Sequence, residues 1–379
     1  ERAKSPTNPK ESKRTEGDHE TRFKVTHLDI TPKWSFGWSA HRYPQSMAYQ
    51  STKEAMSIDE KLIFPVASQV ATMYLQTKLE VFYSLHEHPV SAIDLCPVTQ
   101  HVVSVDTSPS PSVHLWDPNS KRLLKKAVIQ STIEVLFLRY VYARNEVLAV
   151  GHCPERRGST LVVLDMESGL TTGSLHFDQF LIGLYLVESS VHNIKFDEAD
   201  TLISSSAVVF SKDTLSLIYR ETPETVKVFE WRRAAIGLGP LPEVINDIVA
   251  LVLNTDHPFL NFCVDRSFFS LLMIVATSQG KIIGLTDNPY APSGKGTSRV
   301  IIDFGNPVLA IKALKITFLV CLTDNLWIHV IDFIYGRKAV QVDLSTYSVS
   351  LNYPLVPSKL LVYGSKSVFV TTEAGEVVR

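Results

Sequence analysis

At 379 residues, 45% of them hydrophobic and 20% charged, the chain has enough apolar material for one large domain or two smaller ones, which excludes a wholly disordered protein. A formal net charge of -2 argues against a general nucleic-acid binder, because phosphate binding needs a basic face. Cys96, Cys153, Cys263 and Cys321 form no Cys-x-x-Cys and lie in or beside apolar runs, so reduced, buried thiols in an intracellular protein are expected.

Residues 1–22 contain one apolar side chain, Ala3, among mixed charges, Ser and Pro; a disordered tail or linker is expected. The run FKVTHLDI, Phe23 to Ile30, alternates as a strand does and is the candidate for a strand that closes the domain from its N-terminal end. Trp34, Phe36 and Trp38 then cluster around Gly37. They read first as a core plug and second as a docking surface for a partner. Residues 61–85 give three apolar runs, KLIFPVAS, VATMYL and LEVFYSL.

Residues 86–128 are the most informative stretch. His86 is followed by VSAIDL, by a turn at Cys96-Pro97, by HVVSVD, by a Ser/Pro loop and by SVHLWD, which ends on Trp116-Asp117. KRLLKKAV adds an outer strand. The spacing from His to Trp-Asp is that of a WD40 repeat, one four-stranded blade of a β-propeller. His86, Trp116 and Asp117 are therefore assigned to the polar network of the blade, with His86 reaching Trp116 and the polar groups of the third strand. Such a buried network must satisfy itself internally.

The pattern repeats. Residues 132–177 form the next blade, with Asp165 in the place of the Trp-Asp aspartate and Leu164 in that of the tryptophan. A fourth blade is expected to start at Val191, with HNIKF, TLISSSAVVF and TVKVFEW as its first three strands. A fifth runs from Val244 to Phe304, a sixth over 307–344 and a seventh over 347–379. TSQGKIIGL, TDNLWIHVID and TEAGEVV share one form: a strand ending in Thr, a short polar turn, then an apolar strand. That form is read as the hairpin between the second and third strands of a blade. The expected fold is all-β, a WD40-like propeller of about seven four-stranded blades over 23–379. Phe268 to Ala276, the most apolar run, is too short to span a bilayer. The chain has no secretory signal and starts with Glu, so a portion of a longer protein is expected.

The stretches HPVSAIDLCPVTQHVVSVDTSPSPSVHLWD, VHNIKFDEADTLISSS with VKVFEW, and FVTTEAGEVV resemble cilia- and flagella-associated WD-repeat proteins of the calmodulin- and radial-spoke-associated complex. They also look like the tandem propellers of the echinoderm-microtubule-associated-like proteins, and WSFGW is similar to the entry segment of that group. The resemblance implies a cytoplasmic, cytoskeletal scaffold in the ciliary or flagellar axoneme, at a radial-spoke base or doublet microtubule. Its partners would be other proteins of a large assembly, and it leaves room for a second, tandem propeller. Alternative readings are a propeller subunit of a vesicle coat or nuclear-pore-type assembly, and a small-ligand or enzyme propeller that uses its central channel.

No catalytic, cofactor or metal site is expected. SGKGT at 293–297 lacks the first Gly of a phosphate loop, where Pro289 stands, and its Lys295 is followed by Gly. His86-Glu87-His88 offers two metal ligands without a third. The inner runs AIDL, VALVL and AIKAL supply aliphatics rather than the polar groups that a channel site would need.

Overall fold

Runs of Val, Ile, Leu and Thr broken every few residues by polar or Pro-bearing turns give the chain its strands. The computed structural model describes residues 32–35, 47–54, 57–96, 98–189, 207–220, 226–254, 269–287, 297–315, 317–345, 356–363, 367–372 and 376–378. The first blade is β2 (Ala48–Glu54), β3 (Ser57–Val66), β4 (Gln69–Tyr74) and β5 (Glu80–Tyr83). The second is β6 (Val90–Leu95), β7 (Val102–Asp106), β8 (Ser112–Trp116) and β9 (Leu123–Val128). The third is β10 (Glu134–Val141), β11 (Glu146–His152), β12 (Ser159–Asp165) and β13 (Thr171–Phe177).

The fourth blade is β14 (Gly183–Leu186), β16 (Ala207–Phe210), β17 (Thr214–Arg220) and β18 (Val226–Arg232). Next come β19 (Ile245–Asn254), β20 (Phe269–Thr277), β21 (Lys281–Asp287) and β22 (Thr297–Asp303), and this sheet has a fifth member, β15 (Glu188–Ser189). The sixth is β23 (Val308–Lys315), β24 (Phe318–Thr323), β25 (Trp327–Asp332) and β26 (Arg337–Asp343). The closing blade joins β27 (Pro357–Tyr363), β28 (Ser367–Thr372) and β29 (Glu376–Val378) to β1 (Pro32–Ser35).

The fold is an all-β propeller, with one correction to the expected uniform blades. Six blades have four antiparallel strands, and the remaining sheet has five. The extra strand arises because the chain leaving β14 runs on beside β19 and pairs with it in parallel, Glu188 to Leu251 and Ser189 to Val252.

Burial follows position in the blade. Middle strands are covered on both faces by neighbouring blades: all of β7 is buried, as is β24 apart from half-buried Phe318. Outer strands keep one wet face, so β13 alternates half-buried and exposed residues. Fully buried Val103, Val105, Leu138 and Val147 join the second blade to the third in one cluster. Each such side chain contributes about 1.5–3 kcal/mol.

Inner strands touch in succession around the ring: β2, β6, β10, β14, β19, β23, β27 and β2 again. Two of these seams carry the same polar staple. Asp94 on β6 accepts from the Tyr140 N–H on β10 at 2.9 Å, and Asp247 on β19 accepts from the Ile311 N–H on β23 at 2.9 Å. Each carboxylate satisfies a backbone donor on the inner strand of the next blade.

Two strand placements bear on the sequence reading. The strand seen to close the ring is Pro32–Ser35, paired antiparallel with Glu376–Val378; the run 23–30, expected in that role, lies outside the described residues. The fourth blade begins at Gly183 rather than Val191, so TVKVFEW forms its outermost strand, β18, and not its third. HNIKF and the run SVSLNYP at 348–354 lie outside the described residues. The three Thr-ended hairpins join second to third strands: β20 to β21, β24 to β25 and β28 to β29.

Candidate functional site

The polar centre of the molecule lies in the second blade. His86 stands in the loop before β6 and is buried. Ser104 and Asp106 are two apart on β7 and so share a face. His86 Nε2 lies 2.8 Å from Ser104 Oγ, and Nδ1 lies 3.3 Å from Asp106 Oδ2. Trp116 Nε1–H donates to Ser104 Oγ at 3.1 Å. One proton arrangement satisfies every member: Trp116 to Ser104, the Ser104 hydroxyl to His86 Nε2, and His86 Nδ1–H to Asp106.

A second layer lies against this relay. The His114 ring stacks on His86, with centroids 3.9 Å apart, and Tyr83 stacks on Trp116 at 4.2 Å. The Tyr83 hydroxyl is 3.1 Å from His114 Nδ1, and Ser112 Oγ is 3.0 Å from His114 Nε2. Burial, helped by His86 and Lys126 and opposed by Asp106, pulls His114 down to about 3. Burial alone would raise the Asp106 carboxyl. Its hydrogen bonds from His86, the Ser112 and Ser108 N–H groups and the Ser108 hydroxyl outweigh that and hold it well below the usual carboxylate range.

A cleft of about 340 Å³ opens beside the cluster, lined by Asp106, Ser108, Ser112, His114, Lys126 and Leu85 among others. Ser112 and His114 stand at the distance of a nucleophile and its base. At about 3, however, His114 is too weak a base to activate a hydroxyl near neutral pH, and its second nitrogen meets a tyrosine hydroxyl rather than an orienting carboxylate. What these contacts can do is hold the loop before β6 and the 107–112 loop in place.

The assigned residues separate into two groups. His86 and Trp116 meet through Ser104. His86 makes its hydrogen bonds to the second strand, through Ser104 and Asp106, and meets the third strand by stacking on His114. Asp117 is not part of this network. It caps the turn between β8 and β9, accepting from Asn119 N at 2.9 Å, Ser120 N at 3.4 Å and Ser120 Oγ at 2.7 Å. Asp165 does the same for Glu167 and Ser168, and Asp332 for the N–H groups of Ile334 and Tyr335. Trp34 lies on the closure strand β1, while Phe36 and Trp38 lie outside the described residues.

Sequence reasoning passed over Ser104, Asp106, Tyr83 and His114. All four are polar-tipped residues inside apolar runs, and a Ser, Asp or His at a middle-strand position buried on both faces was the available signal. His86 is turned inward while Glu87 and His88 face solvent, and no group of three or more His, Cys, Asp or Glu among the described residues could hold a metal. Cys96, Cys153 and Cys321 are free thiols. Most of the 293–297 loop lies outside the described residues.

No protein-family model matches the chain, and no curated protein matches it. The fold itself fits a protein-interaction scaffold in general terms.

Proposed function

We propose that this chain is a noncatalytic scaffold that holds other proteins on the loop faces and outer edges of its ring. One observation carries the reading: the inner strands meet all the way round, and β1 pairs with β29, so the described loops issue from a closed frame. Large apolar side chains stand on those loops. Leu241 is 72% exposed, on a segment pinned from below: Glu243 accepts from the Gly239 N–H and from Lys281, and Arg233 donates to the Gly239 carbonyl. Tyr335, in the β25–β26 turn, is 62% exposed. Rigid apolar anchors of this kind lose little entropy on binding. The depressed basicity of His114 supports the absence of catalysis at the polar cluster.

The ciliary or flagellar axoneme is the proposed setting, and the resemblance of the stretches around 88–117, 191–231 and 369–378 to cilia- and flagella-associated WD-repeat proteins supports it. The partners are proposed to be radial-spoke or microtubule-associated subunits, with Trp34, Phe36 and Trp38 as a further aromatic anchor. A net charge of -2 favours attachment to the acidic microtubule through such subunits over direct electrostatic adhesion. Tagged protein in ciliated cells should concentrate along the axoneme, while the purified chain should stay in the supernatant when tubulin polymer is sedimented at physiological salt. Diffuse cytosolic signal would remove the axonemal setting, and co-sedimentation of the chain alone would remove indirect attachment.

A further inference from the structure

The cleft beside the polar centre borders a free strand edge. β9 is the outermost strand of its blade and pairs with β8 alone. The Ile129 N–H donates to the Pro111 carbonyl at 2.9 Å. Antiparallel bonding alternates along a strand, so the N–H and C=O groups of Lys126 and Val128 turn outward, to an edge that no described strand covers. β9 is regular over this stretch, and its register shifts only beyond Lys125, where Leu124 is the extra residue.

Lys126 and Val128 are paired in register with His114 and Ser112, so their side chains share that face, and both are exposed where they line the cleft. Exposed Leu85 and Pro109 are further apolar walls of this space of about 340 Å³. Of its carboxylates, Asp106 is spent on His86, Ser108 and Ser112, and Glu87 stands in the loop before β6. Lys125, on the opposite face of β9, is paired with Glu167, whereas Lys126 forms no ion pair among the described residues. A lysine on an edge strand also keeps other strands from adding at random. That role needs neither an exposed valine two residues on nor a partly apolar hollow beside it.

We propose that the β9 edge takes an extended segment of a partner protein as a fifth strand, with an acidic residue beside Lys126 and an apolar residue two positions away beside Val128, at the mouth of the cleft between Leu85 and Pro109. The inference rests on the scaffold reading and names the chemistry of the segment that is held. Backbone pairing supplies the attachment, and the two side-chain positions supply the selection. Spacing by two residues puts both partner side chains on the cleft side of the added strand. Opposite charges and apolar pairs facing each other across a ladder attract. A lipid headgroup or a nucleic acid would use Lys126 but neither the backbone edge nor the apolar walls.

The whole chain is titrated, by fluorescence anisotropy, with two fluorescein-labelled peptides of one composition. Ser-Thr-Leu-Thr-Glu-Thr-Leu-Thr-Ser carries the acid and the apolar residues on one face, and Ser-Thr-Thr-Leu-Glu-Leu-Thr-Thr-Ser puts them on opposite faces. The first is expected to bind about tenfold tighter, and more weakly as salt rises. Lys126→Glu should weaken the first peptide about tenfold and be rescued by Lys in place of the peptide's Glu. Val128→Ser should weaken it severalfold, and Lys212→Glu, at an exposed position in the fourth blade, should change nothing. Equal binding of the two peptides, or binding of neither, overturns the proposal from the unsubstituted chain alone, whether or not a variant folds. Unchanged affinity in folded Lys126→Glu overturns it too, and leaves Lys126 as an edge guard. The scaffold reading is judged separately, by the proteins found around the unsubstituted chain in cells, so the two readings fail independently.

Discussion

Replacing Trp116 with alanine is the sharpest perturbation of the polar centre. Trp116 is fully buried and packs with Ile63 and Val70 of the first blade and Val90, Ile93 and Val102 of its own, so its ring fills the seam between the two. The substitution leaves a cavity the size of an indole, forfeits the stack on Tyr83 and removes the donor to Ser104. Buried Trp-to-Ala changes cost about 3–5 kcal/mol. Ser104 keeps its contact with His86, so the lost hydrogen bond adds little beyond that range. Trp116→Phe keeps an aromatic face for Tyr83 and loses the N–H, for which about 1–2 kcal/mol is expected. Urea unfolding of the whole chain, followed by circular dichroism and compared at constant slope, separates the two variants. A loss below about 1 kcal/mol for Trp116→Ala would mean that the seam does not depend on this ring, and the assignment of the second blade's core would fall.

Acid should weaken the fold in a defined window. His114 takes a proton near 6.5 when unfolded but only near about 3 in the fold, so the unfolded chain binds more protons between those values and stability falls as pH drops through them. His329, held at about 4 by burial and by Lys338, adds to the loss between 6.5 and 4. Melting curves from pH 7 to 4 should show the decline, and His114→Asn should flatten it; an unchanged slope would refute the role given to His114. Lys121→Gly should raise stability by about 0.5–1 kcal/mol in the same urea titration, because the left-handed conformation suits glycine; a clear loss would show that the contact with Trp116 outweighs the strain. Deleting residues 1–35 removes β1 and bares the edge of β29. The shortened chain should melt lower and aggregate at concentrations where the whole chain is monodisperse, as light scattering would read. Equal behaviour of the two chains would mean that β1 does not close the ring.

The architecture was legible where burial on both faces writes long apolar runs, and illegible where it does not. VVSVD, EVLAVG and FLVCLT could be nothing but interior strands, and the Thr-ended hairpins fixed which strand of the blade each one was. The inner strand β2, AYQSTKE, is polar over most of its length, and β14 is only GLYL; neither stands out from a loop by pattern alone. PKWS is the strand seen to close the ring although FKVTHLDI alternates better, because pairing with β29 is a long-range event that local period does not encode. In the polar centre, His86 and Trp116 were visible as members of a spaced motif. Ser104 and Asp106 were hidden because a single Ser or Asp in an apolar run reads as a wet-face residue until the neighbouring blade is known to cover it. Asp117 sits next to Trp116 in sequence, but β8 ends at Trp116 and Asp117 opens the turn, whose N–H groups its carboxylate caps.

Proximity labelling from this chain in ciliated cells tests the scaffold reading most directly. Radial-spoke and doublet-associated proteins should be labelled well above a diffusible control, and Trp116→Ala, by disturbing the frame, should reduce that labelling in proportion to the folded protein lost. A labelled set no different from the control, obtained with folded protein, would contradict it.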